Sequence, residues 1–420
     1  MNFNELAKQE EERLIRYRRY LHENPELSGQ EYNTLAFIKS ELDKMSINYV
    51  EVKDGGILGF IDGKHEGKTV LLRADIDALP IHEDILNGGG KKKTCVSKID
   101  NVQHACGHDA HTAILLVTAK VLSDHKDNLN GKVVLCFERG EEGNGNIFYL
   151  LKYFEENNMT FDSCFGMHVG SLIKGKPGDI FIKADAFMAG MTSFRISLKG
   201  KGGHGSRPDI TNNPIDCFAA IYNSIASLRM KTVNPFAPLT YSIGYLSAGS
   251  KNNIIPDRLT FAGTIRYFDH EVGNQFLNNM RKVIDNIAKA YECEVNYEDI
   301  MIPGYPVNND PDCTKLAQAT FSKIYDSVKL CEPVLGTESF SFYQLKTPGV
   351  FAFLCTYNDE KGMIADHHTA QFDIDEAVLY RGVACYVSYA IDFLNSDITP
   401  KINMSTQSVD ELVLACGRKL

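Results

Sequence analysis

Between residues 188 and 303 the hydrophobic pattern of this chain changes its rhythm. Thr192 to Leu198 reads as a strand, Pro214 to Met230 as a helix, Leu239 to Leu246 and Leu259 to Tyr267 as strands, Glu271 to Tyr291 as a helix, and Glu294 to Tyr297 as a strand. That order is βαββαβ, the ferredoxin-like unit, which closes on itself as one small sheet with two helices. On either side the pattern is different. Apolar β-rich runs at Ile57 to Ile61, Thr69 to Ala74, Lys132 to Phe137, Phe161 to Val169 and Val350 to Leu354 alternate with helical stretches from Asp109 to Leu122 and from Asp375 to Leu394. Such alternation predicts an α/β layer architecture. The chain is therefore expected to hold a discontinuous larger domain, 1–187 and 304–420, with 188–303 inserted. The crossings fall near Lys183 to Gly190 and in the proline-rich stretch Met301 to Asp310, and two adjacent crossings make a natural hinge.

Length agrees, since 420 residues exceed what one ordinary core holds. Two amphipathic helices are expected at the N-terminus, the second burying Leu35, Ile38, Leu42 and Met45. The basic run Arg13, Arg16, Arg18 and Arg19 reads as a solvated helix face, and Gly88-Gly89-Gly90-Lys91-Lys92-Lys93 as a mobile loop tip. A net charge of −10 argues against a nucleic-acid partner, whose binding is driven by Lys and Arg. No apolar run long enough to cross a membrane and no targeting segment is read, so a cytoplasmic location is expected. Eleven single cysteines without a C-x-x-C pair fit reduced thiols there.

Chemistry-bearing residues collect at predicted strand-to-helix loops. Within eight residues His104, Cys106, His108, Asp109 and His111 bring together thiol, imidazole and carboxylate just ahead of a helical pattern. A zinc finger would need paired cysteine halves, and one cysteine stands here. Helix N-terminal potential favours thiolate at Cys106. The segment points to a metal, with histidines capping a loop as the plainer alternative. Glu141 and Glu142 follow a predicted strand in a glycine-flanked turn, where one carboxylate can hold a metal and its neighbour can serve as a base; a solvated surface pair has the same look. His168 ends a buried-looking strand, and Asp366-His367-His368 precedes the last helix. The run Gly200-Lys201-Gly202-Gly203-His204-Gly205 satisfies G-x-G-x-x-G, but Ser206-Arg207-Pro208 follows instead of an opening helix, which rejects a dinucleotide site.

Read in order, these residues resemble the amidohydrolase branch of the aminoacylase and carboxypeptidase-G-like metallopeptidases, which includes hippurate hydrolases and auxin-conjugate hydrolases. The resemblance spans nearly the whole chain. It rests on Leu72-Arg73-Ala74-Asp75-Ile76-Asp77-Ala78-Leu79-Pro80, the block His104 to His111, Glu141-Glu142, Gly166-Met167-His168, the loop at His204, Asn253-Ile254-Ile255-Pro256, Gly263-Thr264-Ile265-Arg266, Glu338-Ser339 and His368 with Phe372-Asp373.

What the resemblance implies is specific. The larger domain would be a mixed-sheet, zinc-peptidase-like catalytic domain and the insert a lid that can also pair subunits into a homo-oligomer. Two divalent ions, of zinc, manganese, cobalt or nickel, would be bridged by Cys106 and completed by His108, Glu142, His168 and His368. Glu141 falls at the general base. A histidine of the related peptidases is implied to be replaced by Arg73, and Asp75, Asp109, His104, His111 and Glu338 are implied to stand behind the ligands. His204 would help stabilise the oxyanion, while Asn253 and Arg266 would hold substrate. The implied reaction is attack of hydroxide, available at neutral pH between two cations, on the amide of a small N-acyl amino acid. A dipeptidase with the same site is the near alternative, and a catalytically silent metal-binding scaffold the distant one.

Overall fold

The computed structural model describes residues 2–143, 145–299, 304–400 and 405–416. Its larger sheet has eight strands in the spatial order Asn48–Val52, Gly56–Asp62, Asn130–Glu138, His65–Asp75, Ser163–Gly170, Gly349–Cys355, Ile180–Phe181 and Val328–Lys329. The four central members, from Asn130–Glu138 to Gly349–Cys355, run parallel, and antiparallel strands flank them. Burial explains the arrangement. Ser163–Gly170 and Gly349–Cys355 are buried along their whole length, as parallel strands covered on both faces must be. One face is covered by helices His108–Asp124 and Tyr380–Leu394, the other by Ile147–Glu156 and Val409–Ala415. Helix His108–Asp124 is buried on nearly every side, because the sheet, helix Glu11–Glu23 and helix Tyr380–Leu394 all pack on it. The stretch Glu376–Leu394 is long and apolar enough to cross a bilayer, but most of it lies inside this core.

The region read as βαββαβ forms a separate four-stranded antiparallel sheet. Its order is Leu239–Ala248, Arg258–Tyr267, Gly190–Lys199 and Glu294–Asp299, with helices Pro214–Thr232 and His270–Ala290 against one face. The first and third strands of the unit lie side by side in the middle, which is the ferredoxin-like order. It has its own core, centred on Phe194, Ile196, Ile221, Phe261, Phe276 and Met280. The chain enters and leaves through neighbouring segments, since Asp185–Met188 pairs antiparallel with Val307–Asn309. Residues 301–303 of the predicted second crossing lie outside the described residues.

Three expectations need correction. The N-terminus holds three helices, Phe3–Gln9, Glu11–Glu23 and Tyr32–Lys44, not two, because Glu10 breaks the first pair with its own non-helical backbone. The basic run is not a solvated face throughout. Arg18 is 2% exposed and pairs with Asp109 at 2.9 Å and Glu376 at 3.2 Å. The Gly88 loop is pinned rather than loose: Asn87 closes it through bonds to Lys91, and Gly89 donates to Gly362 across to a neighbouring loop.

Candidate metal centre

Parallel strands carry their loops to one edge of a sheet, and ligands bind there in α/β folds. At that edge Asp75 and Glu138 end their strands and His168 lies near the end of its own. The loop after Glu138 brings Glu141 and Glu142, and the long loop after Gly349–Cys355 brings His368. Cys106 and His108 arrive with the start of helix His108–Asp124. Gly107 makes that turn at φ +91°, where a Cβ would sit 2.7 Å from Val169, so the close approach of helix and strand depends on glycine.

Cys106 is the hub. Its Sγ lies 3.4 Å from His168 Nε2 and 3.3 Å from His368 Nε2, and His368 Nε2 is 3.2 Å from Glu142 Oε1. His108 Nε2 stands 3.9 Å from the same Glu142 oxygen. Four overlapping groups of donors result among the described residues: Cys106 with His108 and His168, Cys106 with Glu142 and His368, His108 with Glu141 and Glu142, and Asp75 with His108 and His111. The first two share the thiol.

The outer nitrogens of the rings are already engaged. His108 Nδ1 donates to Asp77 at 3.1 Å and His168 Nδ1 donates to the Val169 carbonyl at 2.7 Å, which leaves both Nε2 atoms to accept or to ligate. His108 Nε2 and Glu142 Oε1 are buried without a hydrogen bond of normal geometry among the described residues. Buried polar atoms are nearly always satisfied, so two that face one common point call for a cation. The charges agree. Burial, then Glu142, pushes the Cys106 thiol well up. Burial also raises Glu141 well above the carboxylate range, with Glu338 and Glu142 adding to it. Burial likewise brings Glu338 to about 7 although Arg73 opposes it. A positive charge among these groups relieves all three, and a mixed thiolate, imidazole and carboxylate set suits zinc, manganese, cobalt or nickel. The residues fit a metal centre.

The flanking groups fall out unevenly. His111 donates to Asp75 at 2.5 Å and accepts from the Val169 N–H at 2.9 Å, so both of its nitrogens are spent on positioning. Asp109 turns away from the ligands, to Arg18 and to His22 at 2.7 Å, and thereby ties the helix start to the N-terminal helix. His104 orients no ligand: it is buried and neither ring nitrogen makes a hydrogen bond among the described residues. Arg73 does not occupy a ligand's place, because its guanidinium faces Glu138, Asp75, Glu338 and Ser339 at 2.7 to 3.0 Å. The carboxylate closest to His108 Nε2 from that strand is Asp75, at 3.7 Å. Ser339 donates its N–H to Glu141 at 3.0 Å and its hydroxyl to Glu138 at 2.7 Å.

Asp77 is the residue sequence reading passed over. It holds His108 and also accepts the Glu142 N–H at 3.0 Å, joining two candidate ligands through one carboxylate. Its signal was its place two residues after Asp75, just past the strand end.

His367 and His368 separate cleanly. His367 faces the Val169 carbonyl at 3.1 Å and packs on Gly170, while His368 reaches Cys106. His368 does so from a left-handed backbone, φ +61°, a conformation that costs a non-glycine residue energy and tends to persist at functional sites.

The remaining candidates lie on the smaller sheet unit. His204 and Asn253 meet where the two-residue strands Gly203–His204 and Ile254–Ile255 pair, and both are exposed. His204 Nδ1 is held by Ser206 at 2.8 Å. Arg266 donates to the Leu335 carbonyl at 2.6 Å, and no carboxylate pairs with it among the described residues.

A dinuclear-type donor set at the carboxyl edge of a mixed sheet, beside a ferredoxin-like insert, defines a metal-dependent hydrolase fold. Residues 71–392 match Peptidase family M20/M25/M40, and the chain belongs to that family. It is a metal-dependent hydrolase acting on amide bonds. It is 38% identical to Thermostable carboxypeptidase 2 of Saccharolobus solfataricus over 400 residues, covering 93% of this chain and 97% of that protein. It is 33% identical to N-acetyl-L-cysteine deacetylase of Bacillus subtilis over 402 residues, 94% and 91% of the two chains. Among solved structures, the Bacillus subtilis YXEP protein, a dinuclear metal-binding peptidase of the M20 family, superposes with a TM-score of 0.76 at 29% identity, covering 92% of this chain and 99% of that one.

Proposed function

We propose that this protein hydrolyses N-acyl amino acids to a carboxylate and a free amino acid, and that Cys106, His108, Glu142, His168 and His368 would hold the two divalent ions it works with. The observation that carries the reading is the pair of buried atoms without a hydrogen bond of normal geometry, His108 Nε2 and Glu142 Oε1, each grouped with the shared thiol. The relative named as a deacetylase of an acylated amino acid supports the substrate class. The ions would supply hydroxide at neutral pH and positive charge for the amide oxygen.

The chain's own residues do the rest. Glu141, steadied by the Ser339 N–H, takes the proton of the attacking water and hands it to the nitrogen as the C–N bond breaks. His111 and Asp75 hold the sheet edge, and Asp77 orients His108. On the smaller unit, residues 188–303 act as a lid. Closure, or a neighbouring subunit, brings His204 to the amide oxygen, while Arg266 leaves the Leu335 carbonyl for the substrate carboxylate and Asn253 assists. The exposed edge strand Leu239–Ala248, with Tyr245 and Leu246 outward, supports subunit pairing through this unit, measurable by sedimentation. The scattered single cysteines support a cytoplasmic setting.

Glu141→Gln tests the mechanism: elemental analysis should find the metals retained and turnover lost, and full activity would refute the role. A second reading, carboxypeptidase or dipeptidase, is favoured by the relative named as a carboxypeptidase. A panel of acyl-amino acids and dipeptides with defined metals separates the two, since turnover of peptides alone would sink the first.

A further inference from the structure

Beside Glu141 opens a cavity of about 260 Å³ that none of the proposed ligands lines. At one end it meets Glu141, Glu338 and Ser339. Its other walls are mostly apolar, with Ser193, Thr337 and Ser341 among them: Phe148, Tyr305 and Phe342 stand edge to face at 4.9 and 5.8 Å between ring centres, and Ile147, Met191 and Cys416 add to them. An apolar cavity of about 150 Å³ accepts benzene. This one has room for a ring and its linker.

Two observations assign its occupant. Met191 lies directly opposite Arg266 across neighbouring strands, so their side chains share a face with Cβ atoms about 5 Å apart. A carboxylate held by Arg266 therefore places the substituent on its own α-carbon against the Met191 wall. Glu141, which also lines the cavity, serves the nitrogen borne by that same α-carbon.

The far wall comes from an unexpected place. Cys416 follows helix Val409–Ala415, beyond the span that matches the family. This segment is firmly seated. Ser408 and Glu411 form a capping box, the Val409 N–H donates to Glu155 at 3.1 Å, and Val409, Leu412, Val413 and Cys416 are buried in one cluster with Phe148, Leu151 and Phe154.

We propose that this cavity receives the side chain of the amino acid released, that it favours an aromatic or branched apolar group, and that helix Val409–Ala415 with the following Cys416 sets its depth. The proposal rests on the acyl-amino acid reading above.

The test uses the full metal-loaded chain with N-acetyl derivatives of glycine, alanine, leucine, phenylalanine and tryptophan, beside acetyl, butanoyl and hexanoyl alanine. Phenylalanine and leucine should exceed glycine in kcat/KM by about tenfold or more, and Cys416→Trp should lower the phenylalanine-to-alanine ratio by a similar factor. Met191→Ala, which widens the pocket from the other side and spares the segment, should raise tryptophan relative to phenylalanine, and it carries the test should the first variant fail to fold. A flat amino-acid series, or variants that alter only the acyl series, would overturn the proposal while leaving amide hydrolysis intact. Calorimetric binding of free phenylalanine against glycine needs no turnover. Preference for phenylalanine that Cys416→Trp abolishes, in a protein that cleaves no acyl-amino acid, would retain the pocket and reject the reaction.

Discussion

At the edge of the large sheet, Asp75, Asp77, His108 and His111 are at most 2% exposed and each has a fixed partner; on the smaller unit, His204 and Asn253 face solvent and are held by little more than a two-strand turn. The difference separates two demands on a hydrolase. Groups that must hold charge at set distances are locked by packing and by a second ring of hydrogen bonds. The groups proposed to grip the substrate stand on a unit with its own core and two adjacent connections to the rest. On that proposal, chemistry is preorganised on one side and recognition is assembled on the other.

The sharpest way to break this contrast is at Glu141. Glu141→Gln should lower kcat by about 10²- to 10⁴-fold with metal content unchanged, whereas His204→Ala should leave a larger residual rate. Next in size is the clamp behind the helix start. Arg18→Met strands Asp109 in the interior and should cost about 3 to 5 kcal/mol in urea unfolding, since one partner of a buried pair is removed. Arg207→Ala, which removes the exposed pair with Asp209 on the smaller unit, should leave the unfolding midpoint unmoved. Asp77→Asn should weaken metal retention about 10- to 100-fold in a chelator competition, because it loosens His108 and Glu142 together. Arg266→Lys should act mainly on KM, raising it about tenfold with kcat retained, the signature of lost ground-state grip.

The smallest effect concerns acid. Burial works against the charge on Glu83, yet His22 and Lys93 hold its pKa down at about 2. A lowered carboxylate pKa contributes stability that is fully present above the unfolded value near 4.5 and is lost as pH falls through about 2. Glu83→Gln should flatten that part of the stability profile, and an unchanged acid limb would show the network to be dispensable.

Much of this was legible because local pattern and tertiary demand agree. The ferredoxin-like insert reads correctly element by element, since each strand and helix of the unit packs against its own neighbours. The ligand set Cys106, His108, Glu142, His168 and His368 came from the family resemblance, since each residue alone had a plainer reading, and the structure gathers these side chains around the Cys106 sulfur. The misreadings share a different cause. Arg18 looked solvated because its partners, Asp109 and Glu376, are about 90 and 360 residues away. Asp77 was passed over because a carboxylate two residues past another carries no sign of which imidazole it will meet. The Gly88 loop looked loose because its anchor, Gly362, is remote in sequence.

The insertion also sets the order in which the protein can be finished. Strand Gly349–Cys355 must pair with Ser163–Gly170 across the entire smaller unit, and His368 lies later still. During synthesis the insert can close from contacts within its own span, while the central sheet waits for a distant strand, the slow and late kind of pairing. Cys106, His108, Glu142 and His168 leave the ribosome 200 to 262 residues before His368. With the proposed ligand set, a nascent chain would carry an incomplete chelating cluster for much of its translation, and metal loading would be the closing act of biogenesis.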